Sequence, residues 1–290
     1  MKYAYNKIAL ILFATLSLLT TSCNDDDDNV TVEATQKERT TSFFQALNTR
    51  DVSTIEELLW VDFIQHNPFV PTGRDGLIAL FPNLEQFGTT ANTIRMMEDG
   101  DFIVTHSVYN NATPFGADTV IGFDIFRFDS NGKIAEHWDA LMPDRPVNPS
   151  GRSLTDGATT INDIDNTTAN KALINEFFVN IISGDQAAIG AFVTANFESD
   201  FKQHNPDVAD GINAVFEAFS AQGWVYQVNH KIIGEGNFVL AVSEGTIQGV
   251  SSAFYDLFRI ENGKVAEHWD VIQTVPTTGL ANNNGMFSGF

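Results

Sequence analysis

The chain of 290 residues carries 16 Lys and Arg against 37 Asp and Glu, a formal charge of −21, with 43% apolar and 18% charged residues. This composition excludes a disordered, collagen-like or coiled-coil chain, and so acidic a surface repels phosphate backbones, which sets nucleic acid aside as a partner. A single cysteine excludes an intrachain disulfide and a thiolate zinc site.

Lys2 and Lys7 precede an apolar run from Ile8 to Leu19. About 12 apolar residues fall short of the roughly 20 that span a bilayer but suit a secretory signal. The stretch Leu19-Thr20-Thr21-Ser22-Cys23 resembles a bacterial lipoprotein signal, although Thr20 stands where Leu is more usual. The resemblance implies removal of residues 1–22 and lipidation of Cys23; an ordinary cleaved signal peptide is the alternative. Residues 23–35, with Asp25-Asp26-Asp27-Asp28, read as an acidic tether, since adjacent like charges repel and do not pack. Acid directly after a lipidated cysteine also resembles signals that export lipoproteins to the outer membrane surface. The expected location is extracytoplasmic: anchored to a membrane, not spanning it.

Everything after the tether is written twice. Phe43-Phe44 recurs as Phe177-Phe178, Gln65-His66-Asn67-Pro68 as Gln203-His204-Asn205-Pro206, and Asp124-Ile125-Phe126-Arg127 as Asp256-Leu257-Phe258-Arg259. Gly132 to Asp139 reappears as Gly263 to Asp270, with Glu-His-Trp-Asp closing both copies. Asp75-Gly76-Leu77 is matched to Asp210-Gly211-Ile212. Two copies at this spacing predict tandem domains, over 36–142 and 168–276. They are joined by a linker over 143–167 and followed by a tail over 277–290.

Within each copy the pattern changes along the chain. Gln36 to Asn48 and Lys171 to Ile182 carry apolar residues at helical spacing. Ser53-Thr54-Ile55-Glu56 offers a capping box for a second helix, and Asp75 or Asp210 a cap for a third. The period then drops to two: Phe102 to Tyr109, Val120 to Phe128 and Lys133 to Leu141 read as strands, the last two joined through Ser130-Asn131-Gly132. Helices first and an antiparallel sheet afterwards predict an α+β fold.

Strand alternation puts His137 and Asp139 on one face and Glu136 and Trp138 on the other. Phe102, Val104, His106 and Val108 share a face, as do Gly122, Asp124, Phe126 and Phe128. Apolar rows carrying one His or Asp suggest a small-molecule pocket with few polar groups. Burial there would raise the pKa of an Asp towards the range of a general base, and a nearby His or Asn would hydrogen-bond a developing oxyanion. Plain structural roles stand beside each assignment: His66 and His204 bonding backbone at a helix end, His137 and His268 paired with Asp124 and Asp256, Asp139 bonding loop amides. The histidines are too dispersed to support a metal site.

Gln-His-Asn-Pro early and Glu-His-Trp-Asp on the last strand resemble the SnoaL-like proteins of the nuclear-transport-factor-2-like, ketosteroid-isomerase-like superfamily. The resemblance covers 36–142 and 168–276 and extends to Asn148-Pro149-Ser150-Gly151-Arg152 and Asn284-Gly285-Met286-Phe287. It implies two tandem cone-shaped α+β barrel domains, each with N-terminal helices packed into a curved antiparallel sheet around a pocket. In the polyketide-cyclase members an acidic residue of the last strands is the acid and base of an aldol condensation. Carried over, that role falls on Asp139 and Asp270. His66, His106 and His137 would be partners in the first copy, His204 and His268 in the second. Asn67, Asp124, Asn205, Asp256 and Glu244, the last as a second carboxylate of the second copy, join the binding set. Val242 stands in place of His106 and Glu244 in place of Val108, so the first copy is expected to be the intact site. The expected chemistry is enolisation or aldol-type reaction of a small hydrophobic carbonyl compound, with no cofactor and no metal. The rival expectation is a non-catalytic surface lipoprotein that binds such a ligand. Trp138 and Trp269, on the opposite face, predict that the two sheets pack together as an internal pseudo-dimer.

Overall fold

The computed structural model describes residues 33–290. The expected signal segment, Cys23 and most of the expected tether lie outside the described residues. Helix α1 (Gln36–Thr49) begins at a reciprocal capping box between Thr35 and Glu38. Helix α2 (Val52–Leu58) is capped by Asp51, whose side chain accepts from the Thr54 amide; the cap therefore precedes the predicted Ser53. Then follow β1 (Leu59–Gln65), α3 (Arg74–Ile78), α4 (Phe81–Phe87), β2 (Thr90–Asp99), β3 (Phe102–Asn110), β4 (Thr119–Phe128) and β5 (Ile134–Pro143). The sheet order is β1-β5-β4-β3-β2.

The second domain repeats this plan with α5 (Thr167–Ser183), α6 (Gln186–Asn196), β6 (Phe197–Gln203), α7 (Ile212–Gln222), β7 (Trp224–Glu235), β8 (Phe238–Ile247), β9 (Val250–Glu261) and β10 (Lys264–Thr274), ordered β6-β10-β9-β8-β7. Both sheets are mixed, because β1 runs parallel to β5 and β6 parallel to β10. Sequence periodicity missed β1, where Trp60, Val61 and Asp62 all lie exposed and break the alternation. It also missed β2, an edge strand with few apolar residues.

One face of each sheet is covered by its own helices. Phe43, Phe44, Ile55, Phe63, Phe126 and Phe128 form the first such core, and Ile174, Phe178, Phe201, Phe254 and Phe258 belong to the second. The other two faces meet. Val104, Phe123, Ile125 and Trp138 pack with Leu240, Val242, Tyr255 and Trp269 in one continuous apolar layer, and both tryptophans are 0% exposed. The predicted sheet-to-sheet pseudo-dimer is thus the actual arrangement.

The repeat alignment needs one correction. Gly73 and Gly211 share φ 87°, ψ 150° and φ 88°, ψ 151°, are the N-caps of α3 and α7, and donate to Phe63 O and Phe201 O. Only glycine tolerates that backbone. Asp210 therefore corresponds to Thr72, not Asp75, and neither aspartate caps its helix.

Candidate functional site

Register on the helix-covered face of the first sheet brings the acid groups together. Asp124 on β4 lies opposite Asp139 on β5, and Phe126 opposite His137. All three polar residues are buried. Gln65, at the end of β1, is the parallel neighbour of His137. Its Oε1 accepts from the Asn67 amide at 2.8 Å and from His137 Nδ1 at 2.9 Å. A backbone N–H only donates, so the amide orientation is fixed and the imidazole carries hydrogen on Nδ1. His137 Nε2 then faces Asp124 Oδ1 at 3.2 Å, a contact that becomes a hydrogen bond only with a proton on one partner or the other. The Tyr109 hydroxyl also reaches Asp124, 2.7 and 2.8 Å from its two oxygens.

Asp139 is held differently. Asn67 Oδ1 accepts from the Phe69 amide, which turns its Nδ2 to donate to Asp139 Oδ2 at 2.8 Å. Asp139 Oδ1 is buried with no partner. Burial raises the Asp139 pKa to about 6; the negative charge of Asp124 adds to this, while His137 and the Asn67 bond oppose it.

The second domain builds the same cluster. Gln203 Oε1 accepts from the amides of His204 and Asn205 and from His268 Nδ1, and His268 Nε2 lies 3.0 Å from Asp256 Oδ1. Asn205 donates to Asp270, which burial again pushes up to about 6. The phenol on Asp256 is Tyr226. Tyr109 lies on β3 opposite Ala91 on β2, whereas Tyr226 lies on β7 opposite Gly245 on β8. The aromatic and its small neighbour have exchanged strands, and both rings reach the equivalent carboxylate. Sequence reasoning missed both tyrosines, because copy-to-copy matching looks for like residues at like positions.

Several expected pocket residues sit elsewhere. His66 and His204 lie on the far side of their sheets, stacked on Trp138 and Trp269 at centroid distances of 4.7 and 4.6 Å. Each joins a backbone carbonyl, Gly285 or Ser153, to a carboxylate, Glu136 or Glu267. His106 is also on the inter-sheet face, stacked on Phe123 and bonded to Arg95, where burial and that guanidinium lower its pKa well below the ordinary value. Its row does share a face, but the opposite one from Asp124. Glu244 belongs to the same outer row and meets His230 at 3.2 Å. The exchange of His106 for Val242 therefore leaves the polar cluster untouched, and the reason for ranking the first site above the second falls away.

The domains differ in the space beside these clusters. In the first, Gln65, Asn67, Tyr109, Asp124, His137 and Asp139 line a hollow of about 50 Å³, closed by Phe43, Leu80, Leu84 and Phe115. It adjoins an outer hollow of about 390 Å³ that shares Asn67, Val70, Leu80, Leu84, Phe115 and Leu141. In the second, a cavity of about 650 Å³ lies among α5, α6, α7 and β7, lined by apolar side chains such as Phe177, Ile189, Phe216 and Phe219. Of the second polar cluster only Tyr226 lines it.

Asp124, His137 and Asp139 each bring one ligand atom within 4.8 Å of the others, as do Asp256, His268 and Asp270. With His137 Nδ1 committed to Gln65, a cation there would have to bind His137 Nε2, the atom that faces Asp124 Oδ1.

Residues 40–137 match the family model of the SnoaL-like domain. No curated protein matches the chain. Similar solved structures include wild-type IdmH from Streptomyces antibioticus, a candidate polyketide cyclase, at 21% identity over 37% of this chain and 92% of that one, with a TM-score of 0.33. TsrD from Streptomyces laurentii is 22% identical over 36% and 86%, TM-score 0.32. An NTF2-like protein of unknown function from Cytophaga hutchinsonii is 17% identical over 39% and 95%, TM-score 0.33. The match to the SnoaL-like domain model thus lies within the first domain, and the second domain repeats the topology of the first strand for strand.

Proposed function

We propose that the first domain performs acid–base chemistry on a small hydrophobic carbonyl compound, with Asp139 as the group that moves the proton. The supporting observation is a buried carboxylate with one unpartnered oxygen and a pKa of about 6, in the wall of an apolar hollow. Ionised at neutral pH, Asp139 takes a proton from the carbon next to the carbonyl. The C–H electron pair moves into the enolate, and the new O–H stays on Asp139. Asn67 spends one amide hydrogen on Asp139 and keeps a second for the developing oxyanion. Returning the proton elsewhere gives isomerisation; attack of the enolate on a second carbonyl gives aldol condensation. Only the reacting end of a substrate fits the 50 Å³ hollow, with the remainder in the outer one.

The test is solvent deuterium exchange into a panel of ketones, comparing the parent with Asp139→Asn and Asp270→Asn. Exchange that Asp139→Asn abolishes supports the reading; exchange that survives both substitutions overturns it.

A second reading, a binding protein, is favoured by the 650 Å³ apolar cavity of the second domain, whose lining holds no charged residue. Mass spectrometry of molecules that copurify with the protein tests it: a neutral apolar compound supports binding, and an empty cavity counts against it. Either role would be carried out at a membrane surface outside the cytoplasm, on a lipid attached to Cys23. Labelling with a fatty acid, lost in Cys23→Ala, tests that location.

A further inference from the structure

The segments that follow the two sheets are themselves a repeat, and each is bound to the other domain. The linker after β5 crosses to the second domain. There Asn148 Nδ2 donates to Gln203 O and Val208 O, Arg152 pairs with Asp210, the Ser153 carbonyl meets His204 Nδ1, and Trp269 Nε1 donates to Asp156 O. The tail after β10 crosses to the first domain. There Asn282 Nδ2 donates to Asn67 O and Val70 O at 2.7 Å each, Asn284 Nδ2 to Gln65 O and Thr72 Oγ1, the Gly285 carbonyl meets His66 Nδ1, and Trp138 Nε1 donates to Ser288 O. Arg152 and Asn284, Ser153 and Gly285, and Asp156 and Ser288 stand in matching places. Gly157 and Gly289 match as well, at φ +88° and +89°, where a side chain would strike Glu267 or Glu136.

Both arms grip the same loop. In the first domain it is Gln65 to Val70, and its two functional side chains are Gln65, which fixes the His137 tautomer, and Asn67, which holds Asp139. We propose that the tail residues Asn282 and Asn284 are positioning residues for the Asp139 site, so that each domain's acid–base cluster is set by an arm arriving from the other domain. The inference rests on the reading of Asp139 given above. Four carbonyls of the loop accept from the arm. Gln65 O, Asn67 O and Val70 O accept from the side chains of Asn284 and Asn282, and among the described residues no other side chain donates to them; Pro68 O accepts from the Ala281 amide. Without the arm the loop keeps its backbone bond from His66 N to His137 O but loses the contacts that hold its far side, and with them the fixed angle at which Asn67 approaches Asp139. Asp139 then keeps its burial and its neighbours Asp124, His137, Tyr109 and Tyr255 but loses the donor that opposes them.

The experiment follows the side-chain carboxyl ¹³C signals of Asp139 and Asp270 through a pH titration, assigned with Asp139→Asn and Asp270→Asn. The parent is compared with Asn282→Ala/Asn284→Ala and, separately, with Asn148→Ala. The tail variant should move the Asp139 midpoint up by about one pH unit and leave Asp270 in place; Asn148→Ala should do the reverse. A folded tail variant with Asp139 unmoved, or midpoints that shift together or within the arm's own domain, overturns the proposal. Should the double variant not fold, Asn282→Asp keeps the shape, removes the donor and is judged by the same criterion. The titration reads Asp139 whether or not any ketone exchanges, so absent exchange with crossed shifts defeats only the catalytic reading.

Discussion

Replacing Asp139 with Asn should make the protein more stable, and only above a definite pH. The carboxyl titrates near 3.8 when free and at about 6 in the fold, with burial as the first cause. A carboxyl whose folded pKa lies above its unfolded one stabilises fully below the unfolded value, and that contribution is lost as pH rises through the folded value. At about 1.4 kcal/mol per pH unit, the burden on the native state above pH 7 is about 3 kcal/mol. Asparagine is nearly isosteric and keeps an oxygen for Asn67 Nδ2 to donate to. It places an amide where Asp139 Oδ1 already has no partner, which returns about 1 kcal/mol. Urea unfolding of parent and variant at pH 4, 6 and 8 should therefore show the variant ahead by about 2–3 kcal/mol at pH 8. At pH 4 the advantage should vanish. A variant less stable than the parent at pH 8, or a difference that does not change with pH, would refute the claim that this carboxylate is held ionised at the fold's expense.

Tyr109→Phe strips Asp124 of its phenol and should cost about 1.5–3 kcal/mol in chemical denaturation, with Tyr226→Phe costing a similar amount through Asp256; a neutral result at either would show that the hydroxyl is not needed by the carboxylate. Trp138→Ala removes a ring sandwiched between His66 and Phe290 and should cost about 3–5 kcal/mol. Because the inter-sheet layer is common property, both domains should unfold in one calorimetric transition. Dialysis against a chelator should leave melting temperature and ketone exchange unchanged; a melting point several degrees higher with added Zn²⁺ would show that a cation binds between His137 Nε2 and Asp124 Oδ1.

The duplication, the strands β3 to β5 and the shared face of His137 and Asp139 were legible because each is a local pattern: an eight-residue match, a period of two, a turn at Gly132. What periodicity could not settle is which face of a sheet looks inward. The row of His106 is as apolar as the row of Phe126, and in a protein whose two sheets pack together both faces are dry. His66 presented the same ambiguity from a loop: a histidine before Asn-Pro turns inward or outward according to what covers it, and its cover, Gly285, lies 219 residues away. Tyr109 and Tyr226 were hidden for a third reason. Their equivalence is spatial and runs across a strand pair, so it becomes visible only once the register is known.

The two polar clusters share almost every hydrogen bond, yet one faces a hollow of about 50 Å³ and the other stands behind a cavity of about 650 Å³. The strands and the Gln-His-Asn-Pro loop therefore build the acid–base group, while the helices decide what can reach it. In the first domain two short helices, α3 and α4, bring Leu77, Leu80 and Leu84 down onto the cluster, with Phe115 beside them. In the second a single helix, α7, occupies that stretch and leaves room between Phe216, Phe219 and α6. On the reading proposed above, that geometry implies a division of labour. A tight polar hollow favours chemistry on one end of a molecule, and a broad apolar cavity favours holding the whole of one. Exchanging the α3–α4 segment for α7 should carry the cavity with it and leave the carboxylate midpoints where they are. If the midpoints travel with the helices instead, the helices and not the strands set the acid–base group.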